Sequence, residues 1–427
     1  MSQMKPIFRG VRGAPDILPA DVDRWQWVET EARRILHDYG YREIRTPIFE
    51  RTELFVRGIG EGTDIVEKQM YTFQDRGKES LTLRPEGTAP VIRACLEHHL
   101  VSTGGLSRVY YIGPMFRHER PQAGRFRQFH QIGAEAIGVE DPALDAEVLD
   151  LLSHLFDTWG VRGWKLHLNS IGDDACRPVF RDRLLHYLQG KQESLCPDCR
   201  VRLERNPLRI LDCKVEGCRS LVAQAPSPLE SLCDACKAHF DRLQELLRIL
   251  KIDYRVDEHL VRGLDYYTRT TFEFVNPNLG AQDAIAGGGR YDKLVGEMGG
   301  PALPGIGFAI GMERLLISLP PQQQDDAWTG VFAAALGKAA FDLAFQIVQR
   351  LRRQGVRAGL AMEERSLKSQ MRTAHKERYR YALILGEDEL TTGLATLKDM
   401  AQGDQEQVPL GDIVDRLLRE QSGKRTE

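Results

Sequence analysis

No stretch of the 427-residue chain is apolar over the roughly 20 residues that a membrane-spanning helix needs, so we expect no membrane anchor. The first ten residues, MSQMKPIFRG, contain no apolar core of the kind that secretory signals carry, which predicts a cytoplasmic protein. The net charge is −3. Any contact with nucleic acid must therefore come from local basic patches, because the chain has no overall positive field.

The sequence also lacks the two common phosphate-binding loops. It contains no G-x-x-x-x-G-K-[ST], which excludes a P-loop. The glycine-rich stretch GIGFAIG does not have the G-x-G-x-x-G spacing, no apolar strand leads directly into it, and no acid follows at the expected distance. An ATP site in this chain must therefore be of another kind.

The composition, with 42% hydrophobic and 28% charged residues, is that of a soluble globular protein. One hydrophobic core does not suffice at this length, which predicts about two to four domains. Residues after 330 alternate between strand-like and helical patterns, which predicts a separate small sheet, parallel or mixed, covered by helices. The segment PPQQQDDAW before them is typical of a linker.

Earlier in the chain, apolar residues at helical spacing predict an amphipathic helix over 20–38. The segment YREIRTPIFE (41–50) then predicts a strand with Pro47 at an edge or a bulge, because proline cannot donate to a ladder. Two further strand-like runs, 108–119 and 124–138, are joined by RPQAG, which predicts a hairpin with a longer loop.

This hairpin is rich in arginine around its turn. Guanidinium groups grip phosphate oxygens through paired hydrogen bonds, so the cluster favours a site for several phosphates. Because side chains alternate faces along a strand, the second strand presents a ring, an amide and a carboxylate on one face. The residues are Arg117, Arg120, Arg125 and Arg127 around the turn, and Phe129, Gln131 and Glu135 along the strand. The alternative is a solvated basic hairpin.

Two shorter stretches combine charged and polar groups. In LTLRPEGTAPVIRA, Glu86 and Thr88 are suited to receive an ammonium group, although Thr88 also suits the ordinary role of a helix N-cap. In LVRGLDYY, an arginine, an acid and two tyrosines lie within six residues. The alternative there is a surface salt bridge between Arg262 and Asp265.

Together these stretches resemble the class II aminoacyl-tRNA synthetases and, among them, the histidyl-tRNA synthetase family. TPIFE resembles the first class motif, which builds the dimer interface, FRHERPQAGRFRQFHQ the second motif with its loop, and GIGFAIGMERL the third. LVRGLDYY and AGGGRYDKL resemble two signatures particular to the histidine enzymes, and LRPEGTA fits as well. The resemblance spans essentially the whole chain.

The resemblance implies an α+β fold in which an antiparallel sheet is flanked by helices. The catalytic core would comprise residues 1–171 and 253–319, interrupted by a mostly helical insertion at 172–252. A linker at 320–329 would lead to an α/β anticodon-binding domain at 330–427.

The resemblance also implies roles for the residues that match the family's motifs. The catalytic charges would be Arg262 and Arg117. Substrate histidine would be bound by Glu86, Gly87, Thr88, Arg117, Gln131, Glu135, Arg262, Tyr266 and Tyr267. ATP would be bound by Arg117, Arg125, Phe129 and Arg314, and the acceptor end of tRNA by Arg120 and Gln122.

Within these sets, Glu86 and Thr88 would receive the α-ammonium group with help from Gln131. Glu135 and Tyr267 would recognise the two imidazole nitrogens, with Tyr266 lining the pocket. Phe129 and Arg314 would sandwich the adenine. A buried acceptor that stays unpaired penalises a wrong substrate strongly, so this chemistry suits discrimination of histidine.

The implied activity is ATP-dependent ligation of L-histidine to tRNA(His) through a histidyl-adenylate, with release of AMP and pyrophosphate. ATP with Mg²⁺, L-histidine, tRNA(His) and a second copy of the chain in a homodimer are the implied partners. In the C-terminal region, Lys368, Arg372 and Lys376 form a helix face that would suit backbone phosphates. The alternative is a solvated helix face.

A rival function is that of the non-catalytic regulatory relatives, which keep this fold. Such relatives usually lack the anticodon-binding domain and lose catalytic residues. This chain keeps both the region that resembles the anticodon-binding domain and the catalytic residues, so the sequence favours the enzyme. A synthetase for another amino acid is a second rival, and Glu135 together with LVRGLDYY argues against it.

The cysteines of the 172–252 segment depart from what the activity needs. Two CxxC pairs, CPDC (196–199) and CDAC (233–236), are a zinc pattern when they lie close together. Here 33 residues separate them, with Cys213 and Cys218 between. A structural zinc ion is therefore not favoured, and the metal content stays open. The alternative is reduced, partly buried thiols.

Overall fold

The computed structural model describes residues 7–279, 283–321 and 328–423. The chain divides into two compact units, Met1–Pro320 and Pro321–Glu427. Most of the linker predicted at 320–329 lies outside the described residues. The boundaries of the helical insertion stay a prediction.

The first unit is built on an eight-stranded sheet with the order β1-β5-β6-β11-β10-β9-β7-β8. Neighbouring strands are antiparallel except at the two edges, where β1 pairs parallel with β5 and β8 parallel with β7. A separate three-stranded sheet has the order β2-β4-β3. The strands are β1 (Arg42–Glu43), β2 (Phe49–Arg51), β3 (Tyr71–Gln74), β4 (Ser80–Leu83), β5 (Ser107–Phe116), β6 (Gln128–Ile137), β7 (Lys165–Ser170), β8 (Tyr254–Val256), β9 (Thr268–Val275), β10 (Ala284–Arg290) and β11 (Gly305–Gly311).

Helices flank this sheet, as the α+β expectation requires. The α-helices of the first unit are α1 (Pro19–Asp38), α2 (Thr52–Ile59), α3 (Thr88–Glu97), α4 (Pro142–Thr158), α5 (Cys176–Leu188), α6 (Pro197–Arg205), α7 (Glu216–Val222), α8 (Asp234–Leu250), α9 (Leu294–Glu297) and α10 (Met312–Ser318). Helix α1 confirms the prediction over 20–38, because its apolar stripe, which includes Val28, Ala32 and Ile35, is fully buried in the main core.

The predicted arginine-rich hairpin is also confirmed. Strands β5 and β6 pair antiparallel over ten residues each, and the connecting loop spans residues 117–127. The loop tightens to a four-residue turn, where Gln122 and Arg125 exchange backbone hydrogen bonds of 3.1 and 2.9 Å. Gly124 has a positive φ of 68° at this turn, a conformation that glycine adopts without strain.

The single strand predicted over 41–50 is wrong. The segment forms two short strands that belong to different sheets, with an irregular break around Pro47. Proline has no N–H for a ladder, so the chain leaves the large sheet before it and joins the small sheet after it. The buried guanidinium of Arg84 fastens the break, since it donates to the carbonyl oxygens of Thr46 at 3.0 Å and Pro114 at 2.8 Å.

The second unit holds a five-stranded sheet with the order β13-β12-β14-β15-β16, parallel among the first three strands and antiparallel thereafter. The predicted mixed sheet with helices is thus confirmed, whereas its final hairpin was not anticipated. The elements are β12 (Val331–Ala335), α11 (Lys338–Arg353), β13 (Ala358–Leu360), α12 (Leu367–Lys376), β14 (Tyr381–Leu385), α13 (Glu387–Thr392), β15 (Leu394–Asp399), β16 (Gln405–Pro409) and α14 (Ile413–Gly423). Across the described ranges of both units, each helix is too short or too polar to cross a bilayer.

Candidate active site

A pocket opens on one face of the large sheet, where α3, β6, β10 and β11 meet the segment that leads into β9. Its walls carry a carboxylate, an amide, two arginines and several aromatic rings. The lining residues are Glu86, Thr88, Tyr111, Arg117, Gln131, Arg262, Leu264, Tyr266, Tyr267, Gly287, Tyr291, Gly307, Phe308 and Ala309. Seven of the nine residues expected to bind histidine are among them. Gly87 and Glu135 lie immediately behind this lining.

The N-terminus of α3 forms one wall. The buried carboxylate of Glu86 accepts hydrogen bonds from the backbone N–H groups of Thr88 at 2.7 Å and Ala89 at 2.9 Å. Burial raises the pKa of Glu86, and these two bonds oppose the shift. The alternative in which the Thr88 side chain caps this helix is wrong, because Glu86 takes that role and the Thr88 hydroxyl points elsewhere.

The Thr88 hydroxyl donates to Glu135, the most deeply buried carboxylate of the site. That bond to Oε1 is 2.7 Å long, and the Tyr291 hydroxyl donates to Oε2 at 2.5 Å. Glu135 is 1% exposed, and burial raises its pKa to about 8 even though both hydrogen bonds oppose the shift. A ligand that places a hydrogen-bond donor or a positive charge next to this carboxyl group would therefore favour its ionised form.

Two glycines make room for the aromatic wall behind the pocket. Tyr111 on β5 lies opposite Gly133 on β6, and a Cβ atom at Gly133 would lie 2.2 Å from its ring. A Cβ atom at Gly87 would meet the same ring at 2.2 Å. The buried Tyr111 ring therefore fits between α3 and the sheet because neither position carries a side chain.

Arg262 enters the pocket from the opposite side. Its guanidinium pairs with Glu273 on β9 and lies against Gly287, where a Cβ atom would come within 2.5 Å of Nη2. The alternative of a salt bridge between Arg262 and Asp265 is wrong. Asp265 instead accepts a 2.7 Å hydrogen bond from the Asn206 side chain.

Arg117, Arg125 and Arg314 form a basic group beside this pocket. Arg117 donates through Nε to the Pro85 carbonyl at 2.8 Å, and its guanidinium lies 5.3 Å from the centre of the Phe129 ring. Arg314 donates to the Ala284 carbonyl at 2.8 Å. Burial, followed by the charge of Arg125, lowers the pKa of Arg314. Since guanidinium stays protonated in proteins, the three neighbouring positive charges suit a negatively charged ligand.

The remaining predicted residues lie around the hairpin loop. Arg125 donates to Glu119 at 3.0 Å, so its charge is partly compensated without a ligand. Arg120 and Gln122 are exposed in the loop. The hairpin is therefore not uniformly solvated: Arg117 is held against the pocket while Arg120 faces solvent.

Two buried polar atoms of the pocket have no partner within the described chain, the Oε1 acceptor of Gln131 and the Nε donor of Arg262. Unpaired buried groups of this kind cost on the order of 1–3 kcal/mol each. An acceptor and a donor left open in one pocket suit a ligand that carries both an ammonium group and a carboxylate.

Comparison with known proteins agrees with this chemistry. The family model "Histidyl-tRNA synthetase" matches residues 13–315, and the model "Anticodon binding domain" matches residues 331–420. The chain belongs to the histidyl-tRNA synthetase family. Its match is to both parts of the enzyme architecture, the synthetase core and the anticodon-binding domain.

Individual relatives align over nearly their full length. The histidine–tRNA ligase of Syntrophotalea carbinolica is 54% identical, covering 97% of this chain and 99% of the relative. That of Moorella thermoacetica is 53% identical, covering 95% and 96%. The crystal structure of apo S. aureus histidyl-tRNA synthetase superposes with a TM-score of 0.82 at 35% identity, covering 96% of this chain and all of that one. The α+β fold expected from the family is thus confirmed.

Sequence reasoning missed several residues of the site. Tyr291 lies in the AGGGRYDKL signature, and its position beside Arg290 gave no sign that it reaches Glu135. Tyr111 and Glu273 lie on strands whose alternation could have placed them on the correct face. Asn206 and Arg209, which hold the Arg262 segment, carry no local signal, because they come from a distant helical segment.

The cysteines of the 172–252 segment form two separate clusters. Cys196, Cys199, Cys213 and Cys218 make one, and Asp173, Cys176, Cys233 and Cys236 make the other, with the ligand atoms of each cluster within 4.8 Å of one another. The two CxxC pairs therefore do not share a site. The long separation that argued against zinc does not apply, since each pair finds its own partners.

Glu135→Gln should change how stability depends on pH. A glutamate with a pKa of about 8 in the folded chain and an ordinary value of 4.5 binds more protons when folded, so its stabilising contribution is lost as pH rises between these values. The wild-type free energy of unfolding should fall relative to that of the variant across this window. The slope should approach about 1.4 kcal/mol per pH unit.

Thermal unfolding midpoints of the ligand-free proteins over that pH range provide the measurement. Glu204→Gln, a change at an exposed position, is the matched control and should track the wild type. Parallel curves for wild type and Glu135→Gln would show that this carboxyl group titrates normally.

Proposed function

We propose that this chain ligates L-histidine to tRNA(His) in an ATP-dependent reaction through a histidyl-adenylate, with release of AMP and pyrophosphate. The observation that carries the proposal is the pocket in which a buried carboxyl, Glu135, lies behind open polar groups suited to an amino acid. The family membership fixes the reaction class, and the side chains argue for histidine as the amino acid.

The α-ammonium group is assigned to Glu86 and Gln131. The carboxylate of Glu86 is oriented by two backbone N–H groups and retains acceptor capacity toward the pocket. The Gln131 Oε1 atom is buried without a partner and offers a second acceptor. Thr88 acts indirectly, because its hydroxyl is already donated to Glu135.

The imidazole ring is assigned to Glu135 and Tyr267. A ring N–H that donates to Glu135 would stabilise its ionised form, which burial alone disfavours. Tyr267 is buried with its ring 4.7 Å from that of Tyr266, so the two rings pack against each other and form an aromatic wall for a flat heterocycle. An amino acid without a ring donor would bury the carboxyl without adding the further hydrogen bond that favours its ionised form, which gives selectivity.

ATP is assigned to the basic group. Arg117 would hold the α-phosphate, Arg125 would reach the terminal phosphates after leaving Glu119, and Phe129 with Arg314 would enclose the adenine. Magnesium enters with ATP as its counter-ion, and Glu119, which lies among these arginines, is a carboxylate suited to one coordination position.

In the first step, a carboxylate oxygen of histidine attacks the α-phosphorus in line, and pyrophosphate leaves. Negative charge gathers on the non-bridging oxygens, so fixed positive charge accelerates the step. Arg117 is fixed by Pro85 and Arg262 by Glu273, which keeps both guanidiniums in place beforehand. In the second step, a hydroxyl of the terminal ribose of tRNA attacks the carbonyl carbon, and AMP leaves.

The contacts with tRNA follow from exposure and charge. Arg120 and Gln122 protrude in the hairpin loop, where they would meet the acceptor end. On α12, Lys368, Arg372 and Lys376 are all exposed, while Ala374 is buried on the opposite side. This basic face suits backbone phosphates near the anticodon.

We further propose a homodimer that acts in the cytoplasm. Phe49 and Phe73 on the small sheet are 47% and 46% exposed, and Ile48 beside them is 44% exposed. Exposed apolar side chains on one small sheet are typical of an interface, and Ile48 and Phe49 lie in the segment that resembles the dimer-forming motif.

A non-catalytic regulatory subunit of the same fold is the second candidate. The anticodon-binding family model matches residues 331–420, and the pocket contains most of the residues expected to bind histidine. Both observations favour the enzyme.

Pyrophosphate exchange into ATP, assayed with each amino acid in turn, tests the proposed function. Histidine alone among the standard amino acids should support rapid exchange, because it is the substrate that pairs with Glu135. Exchange with proline or threonine but not with histidine would contradict the assignment. A folded protein that supports no exchange would favour the regulatory candidate.

Arg262→Ala should impair adenylate formation far more than it impairs histidine binding. A donor at developing transition-state charge is worth roughly 3–4 kcal/mol, so the single-turnover rate should fall by about a hundred- to a thousandfold. The KM for histidine should change modestly. Arg181→Ala, on an exposed position of α5, is the matched control and should keep wild-type rates.

If Arg262→Ala instead raises KM strongly at a near-normal kcat, Arg262 is a substrate anchor, and the catalytic charge comes from Arg117. Circular dichroism of the variant separates either result from simple misfolding.

A further inference from the structure

The two cysteine clusters have the composition and size of metal centres. All seven cysteines between residues 172 and 252 belong to one cluster or the other, and each cluster has four potential ligands. Cys95, the remaining cysteine of the chain, is buried elsewhere. We propose that the chain binds two structural zinc ions, one at Cys196, Cys199, Cys213 and Cys218, and one at Asp173, Cys176, Cys233 and Cys236.

Sulfur spacing in the first cluster fits a tetrahedral ion. A Zn–S bond of about 2.3 Å places two sulfurs of a tetrahedron about 3.8 Å apart. The Sγ atoms of Cys196 and Cys213 lie 3.8 Å apart. A disulfide would require about 2.05 Å, so these thiols are arranged for a shared ion rather than a covalent bond.

Helix starts organise both clusters in the same way. Cys196 is the N-cap of α6 and Cys233 the N-cap of α8, and each CxxC partner lies three residues later in the first helical turn. The N-terminus of a helix favours thiolate over thiol. Backbone N–H groups also donate to sulfur, from Cys196 to Cys218 at 3.2 Å and from Cys233 to Cys176 at 3.0 Å.

Nearby cations offset the charge of such centres. Zinc with four thiolates, or with three thiolates and a carboxylate, carries a net charge of −2. The Arg202 guanidinium lies near Cys199 of the first cluster, and a guanidinium nitrogen of Arg269 lies 4.0 Å from Asp173 in the second. Thiolate ligands in a tetrahedral arrangement select zinc over magnesium or calcium, which prefer oxygen.

Both clusters support the segment that carries Arg262 and the two tyrosines of the pocket. Between Cys199 and Cys213, Asn206 donates to Asp265 at 2.7 Å and Arg209 donates to the Arg262 carbonyl at 2.9 Å. Beside Cys176, Arg177 donates to the carbonyl of Tyr267 at 3.4 Å. Zinc would therefore act as a positioning element for substrate binding, outside the proposed reaction itself.

Elemental analysis of untagged protein, produced with zinc in the medium and purified without chelator, tests the proposal. About two zinc ions per chain are expected. Cys213→Ser and Cys176→Ser should each retain about one, and Cys95→Ser, the matched buried control, should retain two. Absence of metal, or iron in place of zinc, would overturn the proposal, as would two zinc ions in either cluster variant.

Because a cluster variant can fail to fold, the wild-type protein supplies a second measurement. Titration with an organomercurial should release zinc to a colorimetric chelator as the seven clustered thiols react, and cobalt-substituted protein should show the visible bands of tetrahedral thiolate coordination. Thiols that react without releasing metal would contradict the proposal. The metal count is independent of the proposed function. The positioning role is tested separately by the KM for histidine, which should rise several-fold in Cys213→Ser and stay unchanged in Cys95→Ser. An unchanged KM in Cys213→Ser would overturn that role.

Discussion

The burial of one carboxyl group, that of Glu135, constrains the rest of the catalytic unit. Thr88 at the start of α3 and Tyr291 after β10 both donate to it, so it links a helix, strand β6 and the end of strand β10. On β11, Gly307 must lack a side chain, because a Cβ atom would lie 1.8 Å from Oε2. A carboxyl group held in this way has a fixed orientation, and its unfavourable burial favours a ligand that donates a hydrogen bond, as the proposed imidazole N–H would.

The second constraint is the placement of Arg262. Strand β9 supplies its ion-pair partner, Glu273, and Gly287 on β10 supplies the clearance. Its segment is held by Asn206, which donates to the Asp265 side chain, and by Arg209, which donates to the Arg262 carbonyl. Both residues come from the helical segment that holds the cysteine clusters. These hydrogen bonds connect the helical segment to residues at the candidate pocket, although the two are far apart in the sequence.

Local patterns carried much of this information. The apolar spacing of α1 and the alternation along β6 are properties of neighbouring residues, so the sequence alone predicted the helix and the hairpin with its polar face. The family resemblance added the assignment of pocket residues such as Gln131 and Tyr267. Contacts between residues far apart in the sequence could not be predicted. No local pattern indicates the hydrogen bond from Tyr291 to Glu135, and none places Cys176 beside Cys233 and Cys236. The error over 41–50 arose because one apolar pattern served two different sheets on either side of Pro47.

The central claim is that Glu135 and Tyr267 recognise the imidazole ring of histidine. A crystal structure of the chain with bound histidine tests it most directly. One ring nitrogen should lie within hydrogen-bond distance of a Glu135 oxygen and the other near the Tyr267 hydroxyl, with the ammonium group at Glu86 and Gln131. Histidine bound with its ring directed away from Glu135, or with its ammonium group against that carboxylate, would contradict the claim.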